Sequence, residues 1–185
     1  YYSHPVKVKI ETRDTRAASG GTGYAKAGGN YGGAIYPAKL AQDEGYDQLI
    51  WTDAKEHAYV EESGTMNVMF VIGGRLITPA LSDSILPGIT RDSVLRLARS
   101  WGMPVEERKV AVRELISAAD NGVLQEAFGV GTAATIVHIQ SIGFEGKDYV
   151  LPAVEKRQFA ARAYEELEGI KHGTKEDKFG WILRL

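Results

Sequence analysis

The chain has 185 residues, 44% hydrophobic and 25% charged, ordinary values for one globular domain with a core to bury. With 22 basic and 24 acidic residues the formal net charge is -2, so neither nucleic-acid phosphates nor an anionic membrane surface is an expected partner. There is no cysteine, which excludes disulfides, thiol switching and cysteine-ligated zinc, and apolar runs such as 68–72 fall far short of the ~20 residues of a membrane helix.

In chain order the elements read as α/β. Val6, Val8 and Ile10 alternate with Lys7, Lys9 and Glu11, the period-two pattern of a half-buried strand. The glycine-rich stretch GGTGYAKAGGNY (20–31) follows, and a helix is predicted over 33–44, with Ile35, Leu40 and Ala41 apolar and Gly45 to end it. Residues 47–52 read as a strand. Two more, 66–72 and 75–78, flank Gly73-Gly74, a dipeptide that tolerates positive φ and so predicts a tight hairpin. After LPGITR (86–91) a helix is expected with Thr90 as N-cap, Asp92 in its first turn and Ile89 stapled to Val94. Val94, Leu95, Leu97, Ala98 and Trp101 make its buried stripe, and Gly102 with Pro104 stops it. The amides at its start offer an anion site, water being the commoner occupant. Residues 105–110, 125–128 and 134–139 read as strands and FEGK (144–147) as a turn. An amphipathic helix over 155–168 is expected to bury Phe159, Ala160, Ala163, Tyr164 and Leu167.

Lys26 lies between two glycine pairs and fits neither familiar phosphate loop. P-loop spacing from Gly23 to Gly28 requires lysine where Gly29 stands, and a dinucleotide fingerprint requires glycine where Lys26 stands. Small neighbours, Ala25, Ala27, Gly28 and Gly29, leave room for a bulky ligand, and a partly buried amine becomes nucleophilic. From chemistry alone, a solvated lysine on a mobile surface loop is the favoured reading. His4, His57, His138 and His172 lack ligand spacing, so no metal is implied.

KAGGNY (26–31) resembles the cofactor-lysine motif of the branched-chain amino acid aminotransferases, pyridoxal-phosphate enzymes of fold type IV. YVEESGTMN (59–67), LPGITR (86–91) and FGVGTA (128–133) resemble the family's next three signatures in family order, and KEDKFGW (175–181) its C-terminal segment. D-amino acid aminotransferases and aminodeoxychorismate lyases, which share the fold, usually lack GGNY and GTMN. The resemblance implies mixed sheets forming a pseudo-barrel with helices around it. It implies an interdomain linker and first strand over 1–19 and a cofactor domain over 20–185, with the family's smaller N-terminal domain absent.

Roles carry over residue by residue. Lys26 would hold pyridoxal 5'-phosphate and move the substrate's Cα proton, Glu62 would face the pyridine nitrogen, and Tyr31 the phenolic oxygen. Leu86 would pack on the ring, while the amides of Ile89 and Thr90 with the hydroxyl of Thr132 would hold the phosphate. Turn amides near Thr65 and Ala133 would take the substrate carboxylate. The substrates implied are leucine, isoleucine and valine, their 2-oxo acids, glutamate and 2-oxoglutarate, handled by a cytoplasmic homodimer in amino-acid biosynthesis. Two alternatives stand beside this: a non-catalytic binding or assembly module with an incomplete pocket, and a relative of the same fold with another substrate.

Overall fold

In the computed structural model, which describes residues 4–183, the first strand is β1 (Val6–Ile10), buried at Val6, Val8 and Ile10 as its alternation requires. It runs inside a sheet, parallel to β2 (Gln48–Thr52) on one side and to β9 (Thr135–Phe144) on the other. β3 (Tyr59–Ser63) turns through Gly64-Thr65 into β4 (Met66–Ile72), which turns through Gly73-Gly74 into β5 (Arg75–Pro79). Both glycines of the second turn have positive φ, 55° and 76°, as the hairpin requires. β6 (Val105–Arg108) lies parallel to β5, β7 (Val110–Ala111) pairs with β3, and β8 (Leu124–Gly131) runs between β4 and β9. β10 (Lys147–Val150) returns along β9 after the Glu145-Gly146 turn.

Because β3 pairs with β4 as well as with β2, the path β4-β8-β9-β1-β2-β3 closes on itself. The expected pseudo-barrel is therefore one mixed sheet of ten strands among the described residues, rather than several. Side-chain alternation divides the core. Val68 and Phe70 of β4 cluster with Val6, Val8, Ile50 and Ile139 from the other barrel strands, whereas Met69 and Val71 pack with the helices α2 (Ile89–Ser100) and α4 (Phe159–Lys171). A smaller cluster seats Ala41 of α1 (Gly28–Asp43) on Leu49 and Trp51 of β2.

Several boundaries differ from expectation for physical reasons. α1 begins at Gly28 rather than at 33, because the side-chain amide of Asn30 donates to the carbonyls of Thr22 (2.8 Å) and Ala25 (3.0 Å) and ties the loop to the first helical turn. Gly45 ends it as expected: at φ 90° it donates to Gln42 O while Tyr46 N–H reaches Ala41 O, a Schellman cap. The N-cap of α2 is Gly88, not Thr90, since Asp92 N–H already bonds Gly88 O. Ile89 is 67% exposed and forms no staple with buried Val94, and Trp101 stands at the C-cap, half-buried, its ring edge-on to Phe159. Lys109 interrupts the 105–110 run, whose halves pair with different strands.

β8 and β9 run well past 125–128 and 134–139. The helix α3 (Val112–Asp120), not singled out in the sequence, buries Val112, Leu115 and Ala118 and ends at Gly122, φ 69°. The 155–168 segment divides into a 3-10 turn (Val154–Lys156) and α4, because Arg157 is extended. Tyr164 is 46% exposed and lies off the buried face. No helix of the described residues is long and apolar enough to cross a membrane.

Candidate active site

Where β2, β4 and β9 begin and β3 and β8 end, the barrel opens into a cavity of about 980 Å³. All the site residues that the resemblance implies line it. Lys26 and Tyr31 come from the glycine-rich loop and α1, and Glu62 and Thr65 from β3 and its turn. Leu86, Ile89 and Thr90 come from the entry to α2, and Thr132 and Ala133 from the β8–β9 turn. The barrel brings together residues as far apart in sequence as Lys26 and Ala133.

The loop before Lys26 is pressed onto the segment that precedes α2. A Cβ at Gly23 would come within 2.5 Å of Ser84 Cα and 2.6 Å of Ala17 Cβ, so no larger residue fits there. Tyr24 N–H bonds Asp83 O (3.0 Å), and Gly20 N–H bonds the Asp83 carboxylate (2.6 Å). Lys26 itself is exposed at the mouth rather than partly buried, its Nζ 5.9 Å from the centroid of the Tyr31 ring. A Cβ on Gly28 or Gly29 would meet nothing within 4 Å, leaving open space beside the amine.

Glu62 is 3% exposed, and burial pushes its carboxyl up to about 7. Arg16, the Leu86 N–H and the charge of Lys26 oppose that rise, while neighbouring Glu61 adds to it. Oε1 accepts the N–H of Leu86 (2.7 Å), and Oε2 pairs with Arg16 Nη2 at 3.2 Å. Arg16 is itself buried and held by the carbonyls of Ser84 and Gly23; its Nε is buried without a partner among the described residues. Nothing local in the sequence marks Arg16, since a charge in an aperiodic loop reads as solvated. Asn67 belongs to the GTMN motif, and the two-residue turn puts it directly across from Glu62, a register that marks it as a partner of the acid.

No side chain caps α2, so the N–H groups of Ile89 and Thr90 precede the first intrahelical bond at the positive end of the helix dipole. Opposite them, Thr132 and Ala133 are exposed on a turn anchored from behind. The hydroxyl of Thr135 donates to Glu168 Oε1 (2.7 Å) and accepts from Lys171 Nζ (2.7 Å), both on α4. Among the described residues no three His, Asp or Glu side chains are grouped to hold a metal ion. The cavity thus offers an amine, a buried acid with an acceptor to spare, and an uncapped helix start. A planar ligand with a carbonyl, a basic ring nitrogen and an anionic end fits that donor set.

The amino-transferase class IV family profile matches residues 1–142. Branched-chain-amino-acid aminotransferase 2 of Bacillus subtilis is 42% identical over 181 residues, covering 98% of this chain and 50% of that protein. The solved branched-chain aminotransferase of Thermoproteus uzoniensis with norvaline superposes with a TM-score of 0.80 at 31% identity, over 97% of this chain and 56% of that one. That of Thermobaculum terrenum in its PLP-form gives 0.72 at 30%, over 89% and 52%. The chain spans about half the length of the curated relatives it matches.

Proposed function

This chain belongs to the amino-transferase class IV family, and from that premise we propose that it carries the pyridoxal-phosphate site of a branched-chain amino acid aminotransferase, with residues 20–185 as the cofactor domain. The observation that carries the reading is the convergence of all the expected residues on one cavity. Relatives are named for this activity, and one solved relative is in its PLP-form.

When bound, pyridoxal phosphate supplies a conjugated electron-accepting ring that makes the substrate's Cα proton removable. The chain's own residues do the rest. Lys26 Nζ would hold the cofactor covalently, and its free amine would serve as the base for the substrate's Cα proton. Glu62 accepts a hydrogen bond from the ring nitrogen and keeps that nitrogen protonated, and a cationic nitrogen in turn favours the ionised carboxylate. Tyr31 donates to the phenolic oxygen, and Leu86 packs on the ring. The free amides of Ile89 and Thr90 and the hydroxyl of Thr132 hold the phosphate. Turn amides near Thr65 and Ala133 orient the substrate carboxylate, while an apolar wall that includes Met66, Val130 and Val137 suits a branched side chain. The amino group of leucine, isoleucine or valine passes to 2-oxoglutarate, leaving the branched 2-oxo acid and glutamate, in a cytoplasmic homodimer. The bare apolar residues Ile35 (70% exposed) and Tyr36 (64%) on α1 are the kind of surface a second copy covers.

Leucine added to the pyridoxal-phosphate-loaded protein is expected to change the cofactor's visible spectrum, and D-alanine to leave it unchanged. An unchanged spectrum with leucine sinks the substrate assignment. The exposed positions of Lys26, Thr65 and Thr132 favour one second reading, a chain that binds the cofactor and turns over only when another polypeptide closes the mouth. Cofactor binding without any half-reaction is the outcome that reading predicts.

A further inference from the structure

Asn67, in the run GTMN (64–67), has no role in the chemistry assigned so far. The two-residue turn pairs Ser63 with Met66 and Glu62 with Asn67, so the side chains of Glu62 and Asn67 leave the sheet on the same face, and both line the cavity. Asn67 is 5% exposed. Its Nδ2 donates to Leu86 O (2.8 Å) and to Glu62 Oε1 (3.3 Å), and its Oδ1 lies against Gly88, where a Cβ would come within 2.2 Å. Two acceptors facing one nitrogen fix which way the amide points. Glu62 Oε1 therefore takes two N–H donors, from Leu86 and Asn67, whereas Oε2 is engaged only by its ion pair with the Arg16 guanidinium. With two lone pairs on each oxygen, the acceptor left open is on Oε2.

We propose that Asn67 is a positioning residue: it saturates Glu62 Oε1, leaves Oε2 as the oxygen offered to a ring nitrogen, and ties the acid to the turn at 86–88 that opens α2. The acid and the anion-binding helix start then move as one body. This rests on the reading of Glu62 as the acid that faces the ring. The charged groups around Glu62 are Arg16 and Lys26 from the loop after β1 and Glu61 from its own strand; Asn67 adds a neutral donor that favours the ionised form without adding charge.

The test follows Glu62 itself, by carboxyl-carbon NMR titration of the cofactor-free protein, its signal identified by its loss in Glu62→Gln. In Asn67→Ala the loss of a donor to the ionised form is expected to raise the Glu62 midpoint by about one pH unit. Asn67→Asp, nearly isosteric, sets a second carboxylate against the first and is expected to raise it further. Dissociation constants for pyridoxal phosphate, read by fluorescence, are expected to rise by about tenfold or more in both variants. If Asn67→Ala does not fold, Asn67→Asp carries the test. A midpoint within about 0.2 pH unit of the parent's in every folded variant overturns the proposal even if melting temperatures fall, because a merely structural asparagine would lower those alone. A shifted midpoint in the variants, with a parent that binds no pyridoxal phosphate, supports the coupling and sinks the cofactor reading instead.

Discussion

Glu62→Gln is expected to slow the half-reaction with leucine by on the order of 10²- to 10³-fold while leaving the fold intact, the scale of losing one preorganised polar group at a reacting centre. Glutamine matches glutamate in shape and can still accept the Leu86 N–H, but it carries no charge with which to keep a ring nitrogen protonated. The same substitution has a signature that needs no cofactor. The carboxyl is raised from its usual 4.5 to about 7 by burial, so between those values the folded chain binds more protons than the unfolded one. Stability from this group is therefore present at low pH and is lost as pH rises through about 7, by roughly 3 kcal/mol over the whole window. Denaturant titrations near pH 5 and pH 8 are expected to differ by about that much more in the parent than in Glu62→Gln. Equal differences in the two proteins would contradict the account of Glu62 as an acid whose burial outweighs its partners.

The largest loss of stability is expected away from the cavity. Glu126 of β8 is 4% exposed, and its carboxylate accepts the N–H groups of Gln158 (2.9 Å), Phe159 (2.8 Å) and Ala160 (2.9 Å) at the start of α4. It is an N-cap supplied from a distant strand, with a full negative charge at the positive end of the helix dipole. Glu126→Ala leaves those donors unpaired and is expected to cost about 3–4 kcal/mol, and Glu126→Gln about half of that. Denaturant midpoints at constant slope measure both. A loss under about 1 kcal/mol for alanine would mean that water replaces the carboxylate cheaply. The effect reaches the site, because Glu168 and Lys171 of α4 anchor Thr135, the residue that follows the 131–134 turn. Weaker pyridoxal-phosphate binding in Glu126→Ala is expected to accompany the lost stability.

What could be read in the sequence was mostly local. Gly45 and Gly102 mark helix ends because each must take positive φ, and Gly73-Gly74 marks a hairpin for the same reason. β1 was readable because one of its faces meets the core and the other carries lysines. The start of α2 lies two residues before the expected Thr90 because Gly88 and Thr90 are both acceptable caps, and the choice between them rests on the tertiary contact of Gly88 with Asn67, which no local pattern encodes.

Tyr164 has the helical spacing of the buried face yet is half-exposed, because spacing alone does not say where the neighbouring strands end. The site positions came from motif resemblance; residue chemistry by itself left Lys26 on a solvated loop, and its exposure agrees with that half of the reading. Arg16 was invisible for the opposite reason. Its burial depends on Glu62, Ser84 and Gly23, none of which lies in its own segment.

Every role proposed for the cavity depends on Lys26 as the covalent anchor. Pyridoxal phosphate titrated into the parent is expected to produce visible absorbance that borohydride reduction fixes to the peptide bearing Lys26, and Lys26→Ala is expected to give neither the absorbance nor the labelled peptide. Equal absorbance in the two proteins, or label on a different lysine, would contradict the account.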